Sequence, residues 1–130
     1  MTGASKQMPL FQRGNFRSHS GLPLDWKIEC DALTDEDWDC LAMLAARILP
    51  SFCEVEGVPT GGQRFAKALS YHARSWGKLQ LLIADDVCTT GASLEKQRGD
   101  REAIGIVAFS RSRNCPAWVT PIWTLHDAIW

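Results

Sequence analysis

Apolar and polar positions alternate along this chain in blocks of helical and strand length. Residues 1–14 are polar and Gly-containing, the pattern of a loose arm. From Phe16 to Leu33 the pattern gives short extended pieces that turn at Ser20-Gly21-Leu22-Pro23. Thr34 reads as a helix N-cap, with Asp35, Glu36 and Asp37 set against the positive end of the helix dipole. Trp38, Leu41, Leu44, Ala45, Ile48 and Leu49 then recur at helical spacing until Pro50 ends the run. Phe52–Val58 is a short strand. A second helix is expected from about Gln63 to Trp76, with Phe65, Ala66, Leu69 and Ala73 inward and Gly77 closing it.

The apolar run that begins at Leu79 is a strand, and a short helix over 92–98 should stop at Gly99. Ala103–Ser110 is apolar without interruption, as in a strand covered on both faces. Trp118–Leu125 is the last strand, and Pro121 within it argues for an edge position. Strands that alternate with helices predict an α/β fold: three layers, a short, mostly parallel sheet of about four core strands, helices on both faces. The length of 130 residues fits one domain.

Composition narrows the function classes. A net charge of −1 makes no electrostatic case for nucleic acid or an anionic membrane. No apolar run reaches bilayer-spanning length, and residues 1–7 lack the apolar centre of a signal peptide. Five cysteines, an odd number without a C-x-x-C pair, argue against a disulfide framework and fit a reducing cytoplasm. Six tryptophans are expected to serve mainly as core or interface material. The histidines, His19, His72 and His126, lie in separate segments without zinc-site spacing.

The chemistry concentrates where the strand from Leu79 runs into Asp85 and Asp86 and then into Thr89-Thr90-Gly91-Ala92-Ser93. Strand, small-residue turn and helix start gather backbone N–H groups into one concavity that suits a phosphate. The acid pair at its rim can accept hydrogen bonds from sugar hydroxyls or hold a hard cation. Two adjacent carboxylates at a strand end repel one another and serve stability poorly. A phosphorylated sugar or nucleotide is therefore the expected small-molecule ligand. A second loop, Gly57-Val58-Pro59-Thr60-Gly61-Gly62, also joins a strand to a helix and matches neither a Walker loop nor G-x-G-x-x-G. Both loops should open on one crevice at the carboxyl ends of the strands. Cys88 has no adjacent base and is expected to pack beneath the turn.

The stretch Ile83-Ala84-Asp85-Asp86-Val87-Cys88-Thr89-Thr90-Gly91-Ala92-Ser93 resembles the phosphoribosyl pyrophosphate (PRPP) loop of type I phosphoribosyltransferases. Phe16-Arg17-Ser18-His19-Ser20-Gly21 and Val119–Asp127 are similar to the hood segment and the closing strand of the orotate branch. The resemblance implies a Rossmann-like phosphoribosyltransferase fold, with a hood over residues 15–33 and a core over 34–130. It implies transfer of a phosphoribosyl group from Mg-PRPP to a nitrogenous base, an orotate-like pyrimidine first. Asp85 and Asp86 would be the catalytic pair on the ribose, touching Mg2+ only through PRPP. The amides of Thr89, Thr90, Gly91, Ala92 and Ser93 would take the 5′-phosphate, and Val58, Pro59, Thr60, Gly61 and Gly62 the pyrophosphate. His19 and Trp26 would face the base, and Arg64, Arg74 and Lys78 are the candidate cations.

One departure accompanies this resemblance. Family members place an extra strand and a long mobile loop, with an Arg-Lys…Lys pattern, before the acid-pair strand. Here Ser70–Lys78 leaves no room for them. A closing loop excludes water and stabilises charge on a leaving group. Enzyme, non-catalytic sensor of PRPP or a nucleotide, and accessory subunit with vestigial loops therefore stay open. The deletion also predicts that the strand near 52–57 becomes a sheet edge, covered by a homodimer contact or by the N-terminal arm.

Overall fold

The computed structural model describes residues 8–17, 21, 23–111 and 115–125. The chain divides into two compact units, residues 1–34 and 35–130.

The first unit is an antiparallel hairpin of β1 (Phe11–Arg17) and β2 (Pro23–Ile28), followed by a 3-10 turn over Cys30–Ala32. Phe11 pairs with Ile28 and Arg13 with Trp26, and the register shifts between Arg13 and Phe16. Strand β1 thus begins three residues before the end of the stretch expected to be a loose arm. The Glu29 amide donates to the Leu10 carbonyl at 2.6 Å, and the Lys27 ammonium lies 4.8 Å from the centre of the Phe16 ring.

The second unit is an α/β layer structure. Its elements in chain order are α1 (Asp35–Ile48), β3 (Glu54–Gly57), α2 (Gln63–Ser70), β4 (Leu81–Cys88), α3 (Ala92–Arg98), β5 (Ile104–Ser110) and β6 (Val119–Thr124). The four strands form one sheet in the order β3-β4-β5-β6, and every neighbouring pair is parallel. Alternation along the strands sends Ile83, Val107 and Val119 to one face, where they pack with Leu94 of α3, Val58 and Cys88. Strand β5 is buried nearly throughout, as its uninterrupted apolar run requires. Pro121 sits on the terminal strand β6, where its missing N–H costs no ladder bond.

Helix α1 buries Trp38, Leu41, Ala42 and Ala45, and the Trp38 and Phe65 rings meet at 5.3 Å between α1 and α2. Ile48, expected on that face, is exposed because it lies beyond the last packed turn. Helix α2 stops at Ser70, six residues short of the sequence expectation. Two tight main-chain bonds, His72 to Leu69 and Ala73 to Ser70, close it, and the Arg74 amide then donates to the Phe52 carbonyl at 2.8 Å. That bond draws the chain out of the helix toward the lead-in of β3. Tyr71, Trp76 and Leu79 are left exposed, and Gly77 adopts a left-handed φ of 84° inside the connection instead of capping the helix. Tryptophan burial is accordingly uneven: Trp38 is buried, whereas Trp76 and Trp123 are at least half exposed. No helix among the described residues is long and apolar enough to cross a membrane.

Strand β3 is the terminal strand on its side of the described sheet, as the shortened connection predicts. Arg101 bridges it to α3, with both guanidinium ends on the Glu56 carboxylate at 2.7 and 2.9 Å.

Candidate functional site

The site grows from the point where β3 ends and β4 continues. Gly57 pairs with Ala84, and the Val58 amide makes the last bond between the two segments, to the Ala84 carbonyl at 2.9 Å. Residues two apart along a strand present their amides to the same neighbour, so the Asp86 amide faces a position where β3 no longer runs. It donates instead to Asp85 Oδ1 at 2.8 Å, and the Val87 amide donates to Asp86 Oδ1 at 2.7 Å. The acid pair is therefore clamped against its own backbone.

The glycine loop closes over the same point. A side chain at Gly61 would lie 2.5 Å from Asp86 Oδ2, and one at Gly62 would collide with the Ala84 carbonyl and the Val58 amide. Gly57 meets the Gly62 carbonyl in the same way. Only glycine allows this approach, which brings the loop at 57–62 and the acid pair into one crevice. Several of the loop's own amides are engaged. Gly62 donates to the Val58 carbonyl at 2.8 Å, Gln63 donates to the Thr60 carbonyl at 3.2 Å, and Pro59 has no N–H. Thr60 and Gly61 are the loop amides for which no backbone acceptor exists among the described residues, so its capacity for an anion is narrower than six residues suggest. The Pro59–Thr60 peptide is cis.

Across the crevice, β4 ends at Cys88 and the chain turns through Thr89, Thr90 and Gly91 into α3. Gly91 has a left-handed φ of 87°, and the Pro116 ring occupies the space where a side chain would stand. First-turn amides of a helix lack acceptors within it. Among the described residues, the Ala92 amide makes a long capping bond of 3.3 Å to Thr90 Oγ1. Thr90 and Ala92 are exposed and Ser93 half-buried, so the turn is open to a ligand.

Electrostatics separates the two acids. Burial pushes the Asp85 carboxyl up to about 8, helped by its hydrogen bond with Asp86 and the neighbouring charge. Near neutral pH Asp85 holds a proton beside the less buried Asp86. Such a pair suits hydroxyl donors. As hard oxygen donors the two residues fit a divalent cation that arrives already held by a phosphorylated ligand. Among the described residues, no group of three or more His, Cys, Asp or Glu side chains could hold a resident metal ion.

The expected cations are not gathered here. Arg64, in the first turn of α2, is engaged by Asp35 at 2.8 Å. Arg74 and Lys78 stand at the amino end of the sheet. Strand β4 separates them from the crevice by about 23 Å at its usual rise per residue, and the Arg74 guanidinium stacks 4.9 Å from the Trp76 ring. Both are corrections to the sequence expectation. Trp26 belongs to the hairpin unit, where it is half-buried opposite Arg13. His19 lies outside the described residues. Sequence reasoning passed over Pro116 as a support of the turn. Its only signal was a proline after a cysteine, and nothing local links that to Gly91.

No family model matches the chain, and no curated protein matches it in sequence. Solved structures do match in fold. Orotate phosphoribosyltransferase from Aeropyrum pernix superposes with a TM-score of 0.64 at 20% identity, covering 88% of each chain. UMP synthase of Leishmania donovani gives 0.73 at 18% identity over 90% of this chain and 34% of the other. Adenine phosphoribosyltransferase from Leishmania donovani gives 0.55 at 11% identity, over 81% and 74% of the two chains. The chain thus has the type I phosphoribosyltransferase fold.

Proposed function

We propose that this protein is a phosphoribosyltransferase that binds Mg-PRPP and transfers its phosphoribosyl group to a nitrogen of an orotate-like pyrimidine, releasing pyrophosphate. The observation that carries this reading is the contact of Gly61 with the Asp86 carboxylate, which joins the glycine loop and the acid pair in one crevice. In it the amides of Thr89 to Ser93 take the 5′-phosphate, Asp85 and Asp86 hold the ribose hydroxyls, and Thr60 and Gly61 meet the pyrophosphate. Magnesium, carried in with PRPP, would neutralise charge on the leaving pyrophosphate. No residue need act as a nucleophile. Positioning, together with carboxylates beside a ribose that becomes cationic, supplies the rate. A cytoplasmic homodimer is part of this proposal, the dimer contact covering the β3 edge.

A second reading has its own support. The connection at 71–80 contains no strand, and Arg74 and Lys78 lie far from the crevice, so cations that would assist departure of pyrophosphate are not gathered there. On this reading the same crevice binds PRPP or a nucleotide without turnover. Pyrophosphate release assayed against a panel of pyrimidine and purine bases separates the two. Base-dependent release that is lost in Asp85→Asn/Asp86→Asn supports the transferase, and saturable binding without release supports the sensor.

A further inference from the structure

Helix α3 begins at the turn that faces the crevice, yet its own hold on the sheet is thin. Leu94 is its one buried side chain, and glycines of positive φ bound it, Gly91 at 87° and Gly99 at 61°. A seven-residue helix anchored at one apolar point can tilt unless polar side chains stop it. Two sets of contacts do so. Toward β6, Trp118 Nε1 donates to Glu95 Oε1 at 2.7 Å, and the Arg98 guanidinium stacks 4.4 Å from the Trp118 ring. Toward β3, the contacts converge on Glu56. Gln97 Nε2 donates to Glu56 Oε1 at 3.0 Å, and Arg101 holds both carboxylate oxygens.

The same guanidinium caps the helix. Its Nε donates to the Arg98 carbonyl at 3.1 Å and its Nη2 to the Gln97 carbonyl at 2.7 Å. The planar fork of arginine allows one side chain to grip a carboxylate and two main-chain oxygens together. Glu56 is also the residue before Gly57, where the loop at 57–62 begins. The pair therefore joins the strand that leads into one loop to the helix that starts from the other.

We propose that Glu56 and Arg101 are positioning residues whose ion pair sets the span between the Thr89–Ser93 turn and the 57–62 loop, and thereby selects ligands with phosphate groups at both ends of a ribose.

The pair can act this way only if the crevice is the phosphoribosyl site proposed above, with or without turnover. Each half of that site keeps its own shape without the pair. The Val58 amide ties the loop to the Ala84 carbonyl, and Pro116 backs the turn at Gly91. What the pair adds is the angle of α3, and so the direction of the Ala92 and Ser93 amides relative to Thr60 and Gly61. A ligand held only at the turn, or only at the loop, does not feel that angle. A ligand gripped at both ends must match it.

Calorimetric titration with magnesium present compares PRPP, ribose 5-phosphate and pyrophosphate on the parent, Glu56→Ala, Arg101→Ala and the double variant. The pair is partly exposed, and such pairs add little to stability, so the variants are expected to fold. PRPP should bind each single variant about tenfold more weakly. The double variant should lose no more than either single one, because the two residues act as a unit. Ribose 5-phosphate and pyrophosphate should bind all four proteins alike. The two substitutions change the local charge in opposite directions, so a shared loss reports spacing and not field. Glu56→Gln keeps an oxygen acceptor for Arg101 and should return PRPP binding toward the parent's. Equal weakening toward all three ligands, or PRPP binding unchanged by either substitution, overturns the proposal and leaves the transferase reading standing. A parent protein that binds neither PRPP nor ribose 5-phosphate overturns that reading and the proposal with it.

Discussion

Asp85 keeps a proton at neutral pH, and this sets what a ligand must do on arrival. Its carboxyl titrates near 8 in the folded protein and near 3.8 as an ordinary aspartate. Between those values the folded state holds more protons than the unfolded chain, so this group's contribution to stability falls as pH rises and levels off above about 8. Asp85→Asn should flatten that slope and stabilise the protein at pH 8 by about 1–3 kcal/mol, measured by urea unfolding at pH 5 and pH 8. Sugar hydroxyls donate best to carboxylates, so binding should expel the proton. Affinity for PRPP is then expected to climb with pH from 6 to 8, by about tenfold per unit at most. Calorimetry in two buffers of different ionisation heat should register proton release; none would contradict the assignment. The glycines offer a second contrast. Gly62→Ala sets a methyl against a main-chain carbonyl and should cost about 2–4 kcal/mol, whereas Gly61→Ala meets the movable Asp86 side chain and should cost about 1.

Elements were legible to different degrees. Helix α3 and the strands of the parallel sheet followed from apolar periodicity, and Gly91 and Gly99 marked the helix ends, whereas β1 lies largely in the stretch expected to be a loose arm. The end of α2 did not follow, because the competitor that pulls the chain away is the carbonyl of Phe52, remote in sequence from the Arg74 amide. Thermal unfolding should reflect this. Trp76→Ala, in the exposed connection, should change stability by less than about 0.5 kcal/mol, while Trp38→Ala should cost about 3–5 kcal/mol. The β3 edge is the element whose partner the sequence left open. Edges of a sheet invite pairing, and β3 carries only four residues with two glutamates among them. Sedimentation velocity should report a dimer, and a monomer at working concentrations would count against that contact.

At the scale of the whole molecule, the acid-pair motif announced the fold and the site together, since its residues mark a strand end, a turn and a helix start at once. The motif left out what distant segments contribute. The approach of Gly61 to Asp86, the Val58 amide engaged by the Ala84 carbonyl, and Pro116 over Gly91 all arise from chain crossings that local sequence does not encode. The cations failed for a related reason: Arg74 and Lys78 are close to the motif in sequence but enter the sheet at its opposite end. The most direct test is the stability of the protein with PRPP, with and without magnesium, repeated on Asp85→Asn/Asp86→Asn. Ligand at a hundred times its dissociation constant should add about 2.7 kcal/mol to the parent protein and little to the variant. An equal shift in both, or no shift in the parent at any PRPP concentration, would mean that the crevice does not hold a phosphoribosyl group.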